Sequence, residues 1–218
     1  MKKGITIAFL GIDGTGKSTH SKKICSWLNE NEIRCIIIPF HKWMFAGFLK
    51  KKFGDYVDKG REKKSLKPYM PKKYSMAAML KPLVAFIDNL IMFYLYKWKY
   101  RNYDILIFDR FICATLIKSK ALNYNVEWLR PLWQNIKTDI GIVLDAPMQK
   151  SIGTINERGD HILYTAGQLL GEREEYLEIA KKNGYPVFNT SGQLEIVNEE
   201  IKNYLKKNPL LHLNRSDI

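Results

Sequence analysis

The ten-residue sequence LGIDGTGKST near the start of the chain limits the possible folds more than any other stretch. From Gly11 onward it fits the spacing G-x-x-x-x-G-K-[S/T] of a phosphate-binding loop. Such a loop connects a buried strand to a helix. The apolar run ITIAFL before it and the amphipathic stretch after it fit that arrangement. The motif therefore predicts a nucleotide site at the end of the first strand of an α/β fold.

The residue types in this loop suit the binding of phosphate. Glycines allow successive backbone N–H groups to point inward at phosphate oxygens. The helix that starts near Lys17 adds the positive end of its dipole. We expect Lys17 to reach the β- and γ-phosphates of a nucleoside triphosphate and the Ser18 hydroxyl to bind Mg²⁺. The predicted nucleotide-binding residues are Gly11, Asp13, Gly14, Thr15, Gly16, Lys17, Ser18 and Thr19.

Short apolar runs without polar alternation recur along the chain, as expected of strands buried on both faces. Longer stretches between them are suited to crossover helices, so the alternation predicts a parallel sheet with helices on both faces. The predicted strands are residues 5–10, 35–40, 104–109, 140–146 and 185–190. The predicted helices are residues 17–31, 74–100, 124–136 and 166–183.

A second group of candidate residues follows the third predicted strand. Asp109 and Arg110 come directly after the run DILIF, and ligands of an open parallel sheet bind beyond the carboxyl ends of its strands. We expect Asp109 to hold Mg²⁺ through a water and Arg110 to clamp an acceptor phosphate. The alternative is an ion pair that only closes the strand end. Asp145 stands in the same way at the carboxyl end of the fourth predicted strand. It is either a further site residue at this edge or the cap of a turn.

Asp13 is an unusual residue in a loop that binds anions. A carboxylate there is electrostatically unfavourable unless it has a role of its own. Two interpretations stand side by side: Asp13 hydrogen-bonds a hydroxyl of a second substrate, or it caps a local turn.

The composition limits the classes of partner and compartment. The net charge of +13 comes from 35 basic and 22 acidic residues, with a strongly basic segment at residues 42–73. This charge favours anionic partners, although a solvated lysine-rich surface explains it as well. Three scattered cysteines indicate a reduced, cytoplasmic compartment. Charges at Lys81 and Asp88 interrupt the longest apolar stretch, so we expect no transmembrane segment.

The regularity of the strand and helix patterns sets the expected boundaries of the domain, the lid and the C-terminal appendage. Residues 1–207 are expected to form one domain, residues 148–165 a small, less regular lid, and residues 208–218 a C-terminal appendage. Gly153 and Gly159 are the reason for expecting an irregular lid.

Together these motifs resemble those of thymidylate kinases. The sequences GIDGTGKST, DRF, LDAP, ERGD and REEYLEIAKK occur in the order of that family across residues 4–204. The resemblance implies a P-loop three-layer α/β/α fold with a five-stranded parallel sheet in the order 2-3-1-4-5. It implies ATP and Mg²⁺ as cofactors and phosphoryl transfer to a nucleoside monophosphate, dTMP above all. It also implies a homodimer, for which the apolar residues 76–98 are the candidate surface.

The resemblance also assigns roles to individual residues. It implies that Asp13 contacts the sugar hydroxyl of the acceptor and that Arg110 holds the acceptor phosphate. The phosphate loop carries no arginine, so the catalytic cation is expected in the lid, with Arg158 the first candidate and Lys150 the second. Residues 189–193, NTSGQ, resemble the loop that borders the adenine.

The chain departs from the family around the acceptor. After the second strand only His41 and Lys42 are cationic, so Lys42 is the candidate there. Asp88 and Asn89 stand near the place of a family arginine. These two residues suit hydroxyl or amide recognition, or lie on the polar stripe of a helix.

Three functions are consistent with these features. The first is a nucleoside monophosphate kinase that converts dTMP to dTDP. The second is the same fold acting on a sugar, a lipid-linked alcohol or another metabolite. The third is a nucleotide-dependent protein that binds nucleic acid through residues 42–73, for which the aromatic residues among the lysines are the support. No RNA-reading motif accompanies them, so we expect small nucleotides and not nucleic acid as partners.

Overall fold

The fold is given by a computed structural model that describes residues 4–40, 76–121, 124–157 and 166–211. Five strands form one parallel sheet: β1 (Ile5–Leu10), β2 (Cys35–Pro39), β3 (Ile105–Asp109), β4 (Ile140–Asp145) and β5 (Val187–Asn189). Their order across the sheet is β2-β3-β1-β4-β5. The predicted fold class and strand order are confirmed.

Helices flank this sheet. Within the described residues they are α1 (Lys17–Glu30), α2 (Met76–Lys99), α3 (Ile112–Ala121), α4 (Arg130–Trp133), α5 (Met148–Glu157), α6 (Ala166–Asn183) and α7 (Leu194–Lys207). Among these described helices, none is long and apolar enough to cross a bilayer.

Two predictions about helices are wrong. Residues 124–136 do not form one helix: they contain a 3₁₀ turn at Glu127–Leu129 and the four-residue α4. Pro131 lies in the first turn of α4, where its fixed φ is tolerated, whereas inside the longer predicted helix it would remove a backbone hydrogen bond and clash with the preceding turn. Residues 148–157, predicted to be irregular, form α5 instead. Gly153 lies in this helix, and a Cβ atom placed on it would have open space around it.

The sheet is buried on both faces, which explains its apolar runs. Alternate residues of β1 face two separate cores: Ala8 and Leu10 face one, and Ile7 and Phe9 face the other. Helix α2 contributes Phe86 and Phe93 to the first core, together with residues of α3 and α6. Helices α1 and α7 cover the second core through Ile24, Leu28, Val197 and Ile201. Each such buried side chain contributes about 1.5–3 kcal/mol relative to an exposed one.

The sheet register fixes where the candidate residues meet. Phe9 of β1 pairs with Asp109 of β3, and Asp145 of β4 pairs with Asn189 of β5. The carboxyl ends of these strands therefore lie along one edge, beside the phosphate loop. Leu211, beyond the end of α7, is buried in the second core. The boundary of the appendage remains a prediction.

Candidate active site

The phosphate loop lies tightly against β4 and α5. A Cβ atom on Gly11 would stand 2.2 Å from the carbonyl oxygen of Leu144, and one on Gly14 would stand 2.4 Å from that of Ser151. Gly11 and Gly14 also have φ angles of 134° and 87°, which L side chains rarely adopt. The loop shape therefore requires glycine at both positions.

The Lys17 ammonium is held within the loop. Lys17 Nζ donates a hydrogen bond to the carbonyl oxygen of Ile12 at 2.6 Å, and the Thr15 hydroxyl donates to the same oxygen at 2.9 Å. Lys17 is only 6% exposed. Burial lowers its pKa to about 8, although Asp13 partly opposes that shift. The ammonium is thus positioned before any phosphate arrives.

Ser18 and Asp109 meet across the end of the sheet. The Ser18 hydroxyl donates to Asp109 Oδ2 at 2.5 Å. The other carboxylate oxygen, Oδ1, is buried and has no hydrogen-bond partner among the described residues. A hydroxyl and a carboxylate are oxygen ligands of the kind that Mg²⁺ prefers. The described residues contain no cluster of three or more acidic, histidine or cysteine ligands. The pair therefore fits a magnesium ion bound mainly through nucleotide phosphates and water.

Asp13 lies at the centre of three cations. Its carboxylate accepts hydrogen bonds from the guanidinium of Arg110 and, at 2.7 Å, from the ammonium of Lys118. Lys17 Nζ lies 3.8 Å from the same carboxylate. The sequence motifs predict that Asp13, Lys17 and Arg110 share one site, and the structure brings these residues together. Lys118 was not predicted.

The charge of Asp13 is stabilised by these neighbours. Burial raises the pKa of a carboxyl, but the positive charges of Lys118, Lys17 and Arg110 outweigh that effect. The pKa of Asp13 is lowered to about 2. One carboxylate thus offsets one of the three positive charges, which leaves this cluster suited to bind an anion.

Arg110 has an unusual backbone conformation. Its φ angle is 79°, in the left-handed region, where a residue with a side chain is strained by about 1–3 kcal/mol. Its backbone N–H donates to the carbonyl oxygen of Phe9 at 3.3 Å. Strain of this kind concentrates at functional sites. In this conformation the guanidinium of Arg110 contacts Asp13 of the phosphate loop.

Lys118 comes from α3, a helix that the strand pattern did not predict. Thr115 and Lys118 are three residues apart and so share a face of this helix. On that face Thr115 Oγ1 accepts a hydrogen bond from Asn89 Nδ2 of α2 at 2.9 Å. Asn89 therefore connects α2 to α3, and the neighbouring Asp88 is buried.

Lys150 lies on α5 and contacts a loop at the end of β5. Lys150 Nζ donates to the carbonyl oxygens of Thr190 at 2.7 Å and Ser191 at 3.0 Å. The Thr190 N–H donates to the carbonyl oxygen of Asp145 at 2.7 Å. Asp145 also forms two 2.6 Å hydrogen bonds with Arg173 of α6. These contacts hold residues 189–193 against β4 and α5.

Two predicted site residues, Lys42 and Arg158, lie outside the described residues. So does the basic segment at residues 42–73 that the sequence analysis singled out.

Glu172 of α6 is a further ionisable group near this site. It is 1% exposed, and neither carboxylate oxygen has a hydrogen-bond partner among the described residues. Burial, the largest cause, raises its pKa; Asp13 raises it further, whereas Lys118, Lys17 and Arg110 lower it. This burial is not evident from the sequence, because the surrounding residues GEREEY are typical of a solvated helix face.

Relatives of known name can be compared with this fold and site. A probable thymidylate kinase of Sulfolobus acidocaldarius is 29% identical over 197 residues, which cover 89% of this chain and 88% of that protein. A probable thymidylate kinase of Thermococcus gammatolerans is 24% identical over 207 residues, covering 91% and 94%. These relatives confirm the resemblance to thymidylate kinase-like proteins. No family model matches the chain.

Solved structures agree on the architecture. Two structures of the deoxyadenosine kinase of M. mycoides, one with bound dATP and one with the products dCMP and a flexible dCDP, superimpose with TM-scores of 0.60 and 0.59. Each is 20% identical to this chain, and the match covers 93–94% of this chain and all of the other. At that identity the likeness shows the fold.

Proposed function

We propose, from the resemblance of this chain to thymidylate kinase-like P-loop kinases, that it transfers the γ-phosphoryl group of ATP to a nucleoside monophosphate. We propose dTMP as the acceptor, converted to dTDP. The observation that carries this proposal is the contact of Asp13 with Arg110 and Lys118 beside the phosphate loop. This contact supports the proposal of a positively charged acceptor site next to the predicted position of the γ-phosphate.

The phosphate loop and Lys17 are assigned to the donor. Amide groups of the loop, together with the start of α1, bind the phosphates of ATP. Lys17 exchanges the Ile12 carbonyl oxygen for phosphate oxygens when the nucleotide binds, and it offsets the charge that develops during transfer. Ser18 and Asp109 hold Mg²⁺, which supplies charge neutralisation to the phosphates of the donor.

Arg110, Lys118 and Asp13 are assigned to the acceptor. Arg110 binds the acceptor phosphate in a bidentate manner, and Lys118 supplies a second positive charge. Thymidylate kinases carry an arginine near the position that Asn89 occupies in this chain. Lys118 supplies a positive charge to the acceptor site, where that arginine is missing. Asp13 binds a hydroxyl of the acceptor sugar. In this scheme the three side chains orient the acceptor for in-line transfer.

The lid completes the site. Lys150 is engaged with the carbonyl oxygens of Thr190 and Ser191, so we assign it to the organisation of the loop that borders the adenine. Arg158 remains the candidate for the cation that closes over the transferring group. Such closure excludes water, and hydrolysis of ATP is the side reaction that the enzyme must suppress.

The proposed assembly is a homodimer in the cytoplasm. Helix α2 exposes a row of large apolar side chains at helical spacing: Leu80, Val84, Ile87, Ile91, Tyr94 and Trp98. Such a row on a soluble chain is typical of a protein interface. The three cysteines are free and buried, as suits a reducing compartment.

A panel of acceptors with ATP and Mg²⁺ tests the proposed function. The panel contains dTMP, other nucleoside monophosphates, nucleosides, sugars and polyprenyl alcohols, and ADP formation is measured for each. We expect turnover of nucleoside monophosphates, with dTMP at the highest kcat/KM. If only a sugar or an alcohol is phosphorylated, that compound replaces dTMP as the proposed acceptor. Acceptor-independent hydrolysis alone would overturn phosphoryl transfer.

A further inference from the structure

Glu172 is a buried group that the proposed phosphoryl transfer does not use. Its side chain is 1% exposed, and both carboxylate oxygens are without a hydrogen-bond partner among the described residues. Burying a carboxyl group in this way costs about 1–3 kcal/mol, and more when the group is charged. In the empty protein, Glu172 therefore lowers stability.

The surroundings of Glu172 connect it to the acceptor side of the site. Helix α6 packs against α3 and β4, the elements that carry Lys118 and Asp145. Glu172 lies close enough to Asp13, Lys17, Arg110 and Lys118 to interact electrostatically with each of them. Arg110 and Lys118 donate their hydrogen bonds to Asp13. Glu172 is thus a second carboxyl group, buried and within electrostatic reach of Asp13, and its hydrogen-bonding capacity is unused by the described residues.

We propose that Glu172 is a specificity-determining residue that accepts a hydrogen bond from a hydroxyl or N–H group of the acceptor nucleotide. This inference rests on the proposed function, because it requires that the acceptor bind next to Asp13. Two carboxyl groups at one site match a ligand that presents two hydrogen-bond donors. A site built for a donor rejects an analogue that lacks it, because the buried carboxyl then stays unpaired.

The donor has two possible sources on a nucleotide. A second sugar hydroxyl, the 2′-hydroxyl of a ribonucleotide, is one, since Asp13 is assigned to the first. An N–H group of the base is the other: the N3–H of thymine, or an exocyclic amino group. Acceptors that differ in one of these groups distinguish the two sources.

The test compares the wild-type protein with Glu172→Met, Glu172→Gln and the control Glu174→Gln. Methionine keeps the length of the side chain and removes both oxygens, whereas glutamine keeps one oxygen as an acceptor. Glu174 lies on the same helix and is exposed to solvent. For each protein, the melting temperature is measured alone and with each acceptor, and KM is measured for the acceptor and for ATP. The acceptors are dTMP, its ribose counterpart with a 2′-hydroxyl, dCMP and dAMP.

We expect Glu172→Met to raise the acceptor KM by at least about tenfold, the effect of one lost hydrogen bond in a dry site. The KM for ATP stays within about twofold, and the melting temperature without ligand is equal or higher, because a buried unpaired group is removed. Glu172→Gln retains most of the affinity, and Glu174→Gln behaves as wild type. If the sugar is the source, a 2′-hydroxyl lowers the acceptor KM of wild type and not that of Glu172→Met. A changed preference for dCMP or dAMP marks the base.

Two results would overturn the assignment of Glu172. One is a Glu172→Met protein that stays folded with an unchanged acceptor KM. The other is a lower melting temperature with equal changes in both KM values, which marks a structural role. The proposed function itself fails if the wild-type protein phosphorylates no nucleoside monophosphate and none of them raises the protein's melting temperature. The Glu172 assignment then fails with it.

Discussion

The ammonium of Lys118 lies 2.7 Å from the carboxylate of Asp13, although 105 residues separate them along the chain. Parallel β1 and β3 bring the phosphate loop and the start of α3 to the same edge of the sheet. The contact connects the proposed donor site to the proposed acceptor site. It also suggests how a chain without an arginine at position 89 keeps enough positive charge for an acceptor phosphate.

Replacing Lys118 should impair binding of the acceptor and not of ATP. We expect Lys118→Met to raise the acceptor KM by about tenfold or more, because a charge-assisted hydrogen bond contributes about 1.5–3 kcal/mol. Lys120→Met is the matched control. It removes the same charge from α3, but Lys120 pairs with Glu127 and Glu175. Steady-state kinetics with each substrate varied in turn give the measurement, and equal acceptor KM values in both variants would contradict the role of Lys118.

Replacing Gly14 should distort the phosphate loop. Alanine at this position meets the carbonyl oxygen of Ser151 at 2.4 Å and must adopt a φ angle of 87°. We expect Gly14→Ala to lower the free energy of unfolding by at least about 1 kcal/mol and to weaken ATP binding. In contrast, Gly153→Ala in α5 has open space around it and should stabilise the protein by about 0.5–1 kcal/mol. Urea denaturation measures both, and a Gly14→Ala protein as stable as wild type would contradict the close packing of the loop.

His20 should make stability depend on pH. This residue of α1 is buried, and its Nδ1 lies 2.9 Å from Asn198 Oδ1 of α7. Burial lowers its pKa below the ordinary value of 6.5, an effect that the contact with Asn198 only partly offsets. Below pH 6.5 the unfolded chain binds a proton that folded His20 resists, so stability falls with acidification until the lowered pKa is reached.

The comparison protein for this effect is His20→Gln. Its free energy of unfolding should change less between pH 7.5 and pH 5.5 than that of wild type, since the other three histidines are shared by both proteins. Chemical denaturation at several pH values measures the slopes. Parallel slopes would show that His20 does not titrate differently in the folded state.

The exposed row on α2 should determine the oligomeric state. Placing a charge in the row with Ile91→Glu should produce a monomer, because an unpaired charge at an apolar interface is costly. The control is Ile196→Glu on α7, where an equally large apolar side chain is also exposed. Sedimentation velocity distinguishes the two. A wild-type protein that is monomeric at tens of micromolar would exclude the proposed dimer.

Much of the sheet and of the donor site could be predicted from the sequence. Strands buried on both faces form apolar runs, and the loop motif is local, so Lys17 and Ser18 are identified by spacing alone. The strand order came from the family resemblance. Helix α3 was missed because its ten residues follow a strand directly and look like part of a loop.

The acceptor side depends on tertiary contacts and was harder to predict. Lys118 and Glu172 are ordinary charged residues in sequence, and only the packing of α3 and α6 against the sheet brings them near Asp13. Gly153 suggested irregular structure, yet α5 accommodates it, because the cost of one glycine in a helix is only about 1 kcal/mol.

The most direct test of the central claim follows the transferred group itself. ATP labelled in its γ-phosphoryl group is incubated with Mg²⁺, dTMP and either wild-type protein or Lys17→Ala, and the products are separated. We expect label in dTDP for wild type and a rate lower by about 100-fold or more for a folded Lys17→Ala. Label found only in inorganic phosphate, or equal transfer by both proteins, would contradict the central claim.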